Sequence, residues 1–350
     1  MVVFEFSDDY FKDEIRCEFE VSSIMKRAWA AQLCVLEDFD KVCVKYGLKW
    51  YAFCGTLLGC VRHEGFIPWD DDIDICMMRS DYRKLISVID KELPNNHIRY
   101  ESKLDGDFDF DFDGIMRINS DDYINLEGER FEHYFEFPYV AGLDVYPMDF
   151  IPRNSDDRNL MITLHKIINA AILQYKIIYW PTKKGVQERL NLSKEELEEN
   201  LQEIENLTNI RIDRNDDVVH KLTQIMTAID SMYTEDESDD VACMFHLNQD
   251  FNYMLFPKKD FEKAVEKPFE TGTIYIPSGY DDILARNFGA NYMTPIKAIT
   301  HNYPYFRREE MILYNYILTD ESARSKVKKE YFYHIAMDDD NIKKKLDEML

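Results

Sequence analysis

The stretch that decides the fold is Gly55-Thr-Leu-Leu-Gly59-Cys-Val-Arg62-His63-Glu64-Gly65-Phe-Ile-Pro68-Trp69-Asp70-Asp71-Asp72-Ile73-Asp74-Ile75. The aromatic run Leu48–Cys54 in front of it reads as a buried strand, and the Gly55-Thr56 turn leads into a short helix reaching His63. Such a turn presents backbone N–H groups and a hydroxyl at a helix N-terminus, a ready cradle for phosphate. Glycines there, Gly55 and Gly59, let a ligand approach the backbone closely. Beyond Pro68, Ile73–Met78 reads as a second buried strand. On a strand, Asp72 and Asp74 project from one face, roughly 6–7 Å apart. Carboxylates so placed chelate hard cations through oxygen, as Mg²⁺ sites for phosphate substrates do. Three consecutive aspartates are usually a solvated turn; here the apolar strand behind them and the strand–turn–helix before them favour a metal site.

Composition bears on the same point. The chain has 350 residues, 42 basic and 67 acidic side chains, and a formal charge of −25. With 45% hydrophobic and 14% aromatic residues it is a folded protein, long enough for a substantial core. So acidic a chain lacks the basic face that nucleic acid needs, and a polyanionic ligand would be met through a bridging cation. The seven cysteines form no C-x-x-C pair, and most have apolar neighbours, which fits reduced thiols. No apolar run suits a membrane span and the first residues lack a signal pattern, so a cytoplasmic protein is expected. The Lys343–Lys345 run leaves a peripheral contact at the inner membrane face open.

Outward from the deciding stretch, Asp9–Tyr46 reads as one or two helices and Gly47 as their stop. Ser80 or Asp81 is expected to cap a helix ending near Leu93. Strand signals follow in IRYES, IMRI, YIN and VAGLDVYPMDFI. Ser155–Tyr179 reads as an apolar helix, residues 180–217 as a charged linker or insertion, and Ser193–Glu196 as a capping box. A further helix to Tyr233, strands at CMFHLN and TIYIP, a helix Asp281–Phe288 and a helical tail complete the chain. Strands interleaved with helices give an α/β or α+β fold. The expected division is an N-terminal helical segment 1–47, a catalytic core 48–152, a helical region 153–240 and a C-terminal completion with tail, 241–350.

A metal site of this type wants a third carboxylate on a neighbouring strand. Asp144, between Leu143 and Val145, is the best placed, since an acid within an apolar strand is costly unless paired or metal-bound. Asp149 ranks behind it because Pro147 is expected to break the strand. The alternating Asp107–Asp113 run mimics a calcium loop, but Phe112 and Ile118 stand where Gly and Glu are needed, so an EF-hand is rejected.

The turn followed by Asp-x-Asp on the next strand is the sign of a nucleotidyltransferase-type fold. GTLLGCVRHEGFIPWDDDIDI (55–75), followed by LDVYPMDFIP (143–152), resembles the LicD family of phosphotransferases, relatives of the fukutin-type proteins. Looser likeness extends through Phe269–Gly272, Ile276-Pro277 and Tyr280–Pro295, where Asn287-Phe288-Gly289-Ala290 departs from the family's Tyr-Gly-Asp. The resemblance implies a nucleotidyltransferase-like mixed sheet core flanked by helices, with an additional helical region. It implies transfer of a substituted phosphate, phosphocholine from CDP-choline above all, to a hydroxyl of a glycan or glycolipid such as lipopolysaccharide or teichoic acid, releasing CMP. By motif matching, Asp72, Asp74 and Asp144 would hold Mg²⁺ or Mn²⁺, Asp144 could take the acceptor proton, and Asp70 would stand behind them. Among basic residues, Arg62 is the better candidate phosphate ligand, then Arg117 and His63; an ion pair with a neighbouring acid is the ordinary alternative for both arginines. Trp69 is expected to wedge the turn. A choline head group would want an aromatic cage, but 22 Tyr and 22 Phe leave too many candidates. A nucleotidyltransferase moving a nucleoside monophosphate, or a non-catalytic protein that keeps the fold, are the rival readings.

Overall fold

The computed structural model describes residues 1–93, 115–179, 192–248, 254–297 and 303–350, and the backbone of 98–101. The Asp107–Asp113 run, residues 94–97 and the whole stretch 180–191 therefore lie outside the described residues. The chain forms two compact units: residues 1–100, 117–145 and 263–350 in the first, 101–116 and 146–262 in the second. The mixed α/β architecture expected from the sequence is what the chain adopts.

In the first unit a short hairpin, β1 (Glu14–Arg16) and β2 (Phe19–Val21), precedes α1 (Ser23–Tyr46). The helix is capped by Ser22, whose side chain accepts from the Met25 N–H, and stops at Gly47 in the left-handed conformation. The hairpin corrects the helical expectation for residues before Ser22. Cys17 and Glu18 both take positive φ (50° and 57°), as a tight two-residue hairpin turn demands. Ile15, although apolar, is 77% exposed. What pins the hairpin is Arg16, whose guanidinium donates to both oxygens of the buried Glu270 at 2.7 and 3.1 Å.

β3 (Tyr51–Ala52) is short and pairs antiparallel with β4 (Asp74–Met78); between them runs α2 (Cys54–His63). α3 (Arg79–Glu92) follows β4 directly. Neither Ser80 nor Asp81 caps it: Met78 is the N-cap, and the Asp81 carboxylate accepts from the Lys49 N–H at 3.2 Å instead. β5 (Ile98–Glu101) and β6 (Met116–Asn119) lead to β7 (Gly142–Pro152), and the strand order is β3-β4-β7-β6-β5. YIN is not a strand: Asn125 N–H donates to Pro138 C=O at 2.8 Å in a loop that contains the short helix Gly128–His133. A hairpin (Ala264–Phe269 with Gly272–Pro277) and the helix Arg307–Thr319 complete the frame around the buried core of Trp29, Phe39, Trp50 and Phe53.

β7 runs unbroken through Pro147, against expectation. In the second unit it pairs with β8 (Ser238–Ala242) from Asp149 onward, so Pro147 falls two residues before that ladder and its missing N–H interrupts none of those bonds. β8 in turn pairs with β9 (Leu255–Pro257). The helices Ser155–Tyr179, Lys194–Thr208 and Val218–Asp230 enclose a separate apolar cluster that includes Ile168, Ile172, Leu201, Leu222 and Met226. The capping box at Ser193–Glu196 forms as the sequence predicts. Part of the expected linker is thus a core-forming helix, with Leu197, Leu201 and Ile204 on its buried face. CMFHLN is also corrected: β8 ends at Ala242, Cys243 C=O accepts from His246 and Leu247, and Met244–Asn248 is helical. Met244 and Leu247, three apart, then share the buried face. No helix among the described residues is long and apolar enough to cross a membrane.

Candidate active site

The helix α2 begins at Cys54, so Gly55 and Thr56 occupy its first turn rather than a turn ahead of it. Backbone N–H groups of that turn have no acceptor within the helix, and the dipole there favours an anion. The turn is tied to β4 from both sides: Phe53 N–H donates to Asp74 C=O at 2.9 Å, and Asp74 N–H donates to Thr56 Oγ1 at 2.8 Å. Both glycines also stand where the neighbouring chain packs closely. A Cβ on Gly55 would collide with Asp70 Oδ2, and one on Gly59 would sit 2.5 Å from the Gly65 carbonyl.

The acidic loop is held by side chains from remote parts of the chain. Trp29 Nε1 donates to Asp70 C=O at 3.1 Å, and Gln32 Nε2 to Asp71 C=O at 2.7 Å. Asp71 is fully buried and its Oδ2 accepts from the Tyr305 N–H at 2.6 Å. Carboxylate oxygens of Asp70, Asp71 and Asp72 lie within 4.8 Å of one another. The strand β4 starts at Asp74, so Asp72 and Ile73 lie just ahead of it, not on it as expected; Ile73 is buried while Asp72 and Asp74 keep accessible surface. Asp72 is open to solvent yet surrounded by protein. That surrounding protein, then the carboxylates of Asp74, Asp70, Asp71 and Asp144, push its carboxyl well above the ordinary range.

Asp144 enters from β7, its N–H donating to Ile73 C=O at 2.9 Å. Arg117 on β6 grips both its oxygens, at 2.9 and 3.2 Å. Burial raises the Asp144 carboxyl, and the Arg117 guanidinium pulls in the opposite direction without cancelling that rise. The donor set is all oxygen, negatively charged and crowded, which suits a hard divalent cation.

Arg62 and His63 end α2. Arg62 donates through Nη1 to Tyr292 C=O and through Nε to His63 Nε2, both at 2.9 Å. Burial, then the charges of Arg62 and Arg16, push His63 down to about 4, so it is neutral and accepts that bond. Trp69 is 5% exposed, edge-on to Phe19 and His63.

Residues 47–151 match the family model described as LicD/FKTN/FKRP, nucleotidyltransferase domain. Over 259 residues, 74% of this chain and 87% of the relative, the sequence is 22% identical to the lipopolysaccharide cholinephosphotransferase LicD of Haemophilus influenzae. The chain is thus similar to the LicD family of phosphotransferases, and the family's nucleotidyltransferase domain matches its residues 47–151. An uncharacterized protein of Rickettsia prowazekii is 45% identical over 55 residues, 16% of this chain and 21% of that one.

Asp70, Asp72, Asp74, Asp144, Thr56 and Arg117 all belong to the first unit, brought together across α2, β4, β6 and β7. Asp149 does not join them: it lies in the second unit, 1% exposed, in register with Ala242. Gln32, Trp29, Tyr305 and Glu309 were missed. Glu309 accepts from the Val140 N–H at 3.0 Å, and burial pushes its carboxyl up to about 7. Nothing in local spacing marks these four, although Tyr303-Pro304-Tyr305-Phe306 is an aromatic cluster that stands out in the sequence.

Proposed function

We propose that this chain transfers phosphocholine from CDP-choline to a hydroxyl of a glycan or glycolipid, in the presence of Mg²⁺, with release of CMP. The observation that carries this reading is the crowded set of carboxylates, Asp70 to Asp72 with Asp74 and Asp144 close by, beside the first turn of α2. The name of the Haemophilus influenzae relative supports phosphocholine as the group moved and lipopolysaccharide as the acceptor class. LicD enzymes are in general metal-dependent transferases.

In this proposal Asp72, Asp74 and Asp144 hold the cation, and Asp70 orders the loop behind them through its contact with Gly55. When bound, the ion neutralises charge on the phosphoryl and leaving oxygens during in-line displacement. The first turn of α2, with Gly55 and Thr56, receives a phosphate of the donor through its N–H groups. Arg62, with neutral His63 as its acceptor, adds positive charge near the end of the same helix. Arg117 fixes the orientation of the Asp144 carboxylate, which takes the acceptor's proton, a contribution of roughly 10²–10⁴ in rate. The buried Trp69 packs the acidic loop against Phe19 and His63.

Product analysis tests this. Donors CDP-choline, CDP-ribitol, CDP-glycerol and nucleoside triphosphates are incubated with and without Mg²⁺ and an acceptor glycan. CMP and a phosphocholine-modified acceptor are expected. Pyrophosphate release would indicate nucleotidyl transfer instead. Binding of a triphosphate but of no CDP compound in Mg²⁺ would end the phosphocholine reading. Absence of turnover with any donor, unchanged in Asp72→Asn, would favour a non-catalytic role.

A further inference from the structure

The sequence offered too many aromatics to place a head group; in the structure one of them, Tyr305, is bonded to the acidic loop. The Tyr305 N–H bonds to Asp71 Oδ2 at 2.6 Å, so this residue is one hydrogen bond from the carboxylate cluster. Its side chain is 36% exposed, unlike the buried aromatics around it, Phe306 and Trp69. Tyr303, two residues earlier, meets Phe19 edge-on at 5.8 Å, and Phe19 meets Trp69 at 6.0 Å. Glu309 lies in the first turn of the helix Arg307–Thr319, four residues beyond Tyr305, its carboxylate accepting from the Val140 N–H. No basic side chain enters among the strongest influences on the Tyr305 hydroxyl. The surrounding protein raises it well above its ordinary range, then Glu309 and Asp71 raise it further, Gln32 lowers it, and Asp72 adds to the rise. Tyr305 is thus a partly exposed aromatic residue among carboxylates, bonded to the acidic loop whose Asp70 lies against Gly55 in the first turn of α2, where the phosphate is proposed to bind.

Resting on the phosphocholine reading above, we infer that Tyr305 and Glu309, with Tyr303 at their side, form the subsite for the donor's cationic head group. In phosphocholine only two carbons separate the phosphate ester oxygen from the quaternary nitrogen, so the nitrogen must bind close to the phosphate. A quaternary ammonium has no N–H to donate, and its recognition relies on an aromatic face and diffuse negative charge. Tyr305 supplies the first and Glu309 the second. Together they discriminate against ribitol and glycerol head groups, which are neutral and would leave the carboxylate's field uncompensated.

The test compares CDP-choline with its neutral isostere, CDP-3,3-dimethylbutanol, in which carbon replaces the ammonium nitrogen. The full chain in Mg²⁺ is expected to prefer CDP-choline by about tenfold or more in kcat/KM, the size of a desolvated cation–π contact. Tyr305→Leu is expected to bring that ratio close to one by raising KM for CDP-choline alone. Tyr305→Phe keeps the ring and should keep the preference. Glu309→Gln should lower it several-fold. Equal loss with both donors in Tyr305→Leu would show a structural role and overturn the subsite. So would a wild-type enzyme that uses both donors equally well, with the phosphocholine reading left intact. Turnover of CDP-glycerol or CDP-ribitol but not of CDP-choline would overturn the phosphocholine reading and the subsite together. Calorimetry of free phosphocholine binding to the same variants repeats the comparison without turnover.

Discussion

Replacing Asp72 by Asn separates folding from function at this site. Oxygens of Asp70, Asp71 and Asp72 lie within 4.8 Å of one another. Two unit charges at that distance repel by about 1 kcal/mol in bulk water and about 3 kcal/mol at an effective dielectric of about 20. Asp72 is solvent-accessible, so the lower figure is the safer one for each pair. Asn is nearly isosteric and removes the charge. In a metal chelator, Asp72→Asn is therefore expected to be more stable than the natural chain by about 1–3 kcal/mol. In millimolar Mg²⁺ the order should narrow or reverse, because the natural chain gains binding free energy that the variant forgoes. Urea denaturation followed by circular dichroism, with chelator and with Mg²⁺, measures all four stabilities, and transfer activity should be lost in the variant. If Asp72→Asn is the less stable protein in chelator and Mg²⁺ leaves the natural chain unmoved, the carboxylates are a hydrogen-bonded loop and no cation site.

Two further outcomes follow from the geometry. Gly59→Ala drives a methyl to 2.5 Å from the Gly65 carbonyl and 3.2 Å from Ile67 N, forcing α2 away from the loop that carries Asp70 to Asp72. It should cost about 1–3 kcal/mol in denaturation and weaken Mg²⁺ binding by calorimetry; unchanged values for both would refute the packing role. Burial pushes Glu309 from the ordinary 4.5 up to about 7. Between those values the unfolded chain is ionised while the folded chain keeps its proton, so stability is lost as pH rises through this window and is level above it. Glu309→Gln, which still accepts from Val140, removes that loss. It should exceed the natural chain in chelator at about pH 8.5 by at most about 3 kcal/mol and show no such gain at about pH 4. Parallel stability profiles for the two proteins would contradict it.

Much of the site was legible because its chemistry sits in one contiguous stretch. Thr56 and the Asp72/Asp74 pair are separated by one helix and one turn, and alternation about Ile73 is a local property of extended chain. Asp144 could be singled out because a carboxylate between Leu143 and Val145 contradicts its surroundings. What could not be read was long-range. Tyr305 meets Asp71 across 234 positions, and Gln32 reaches it from α1 across 39; no spacing rule connects them. The Asp9–Tyr46 error arose because Phe19 and Ile15 fit a helical count, while the positive φ at Cys17 and Glu18 is set by a turn that neither residue type announces. Pro147 misled for a different reason. A proline interrupts a ladder only where its N–H is needed, and partner choice along β7 is a tertiary property.

The acids themselves divide by what neutralises them. Arg117 clasps Asp144 through both oxygens, and Arg16 does the same for the buried Glu270, as expected of carboxylates whose charge must be held within the fold. Asp72 differs: after burial, the charges that act on it most strongly are all carboxylates. Glu309 differs in the same sense, raised by burial with only the Val140 N–H to oppose it. Both carboxyls are raised in the fold, so ionising either is expected to cost stability that a neutral isostere would keep, and both retain accessible surface. Retaining such costs is reasonable only where a positive ligand repays them. Under the proposed function two cations of different kinds would satisfy the pair, a hard divalent ion for Asp72 and a diffuse ammonium for Glu309. A donor that carries its ammonium two carbons from its phosphate brings the second to its place as the first receives the phosphate.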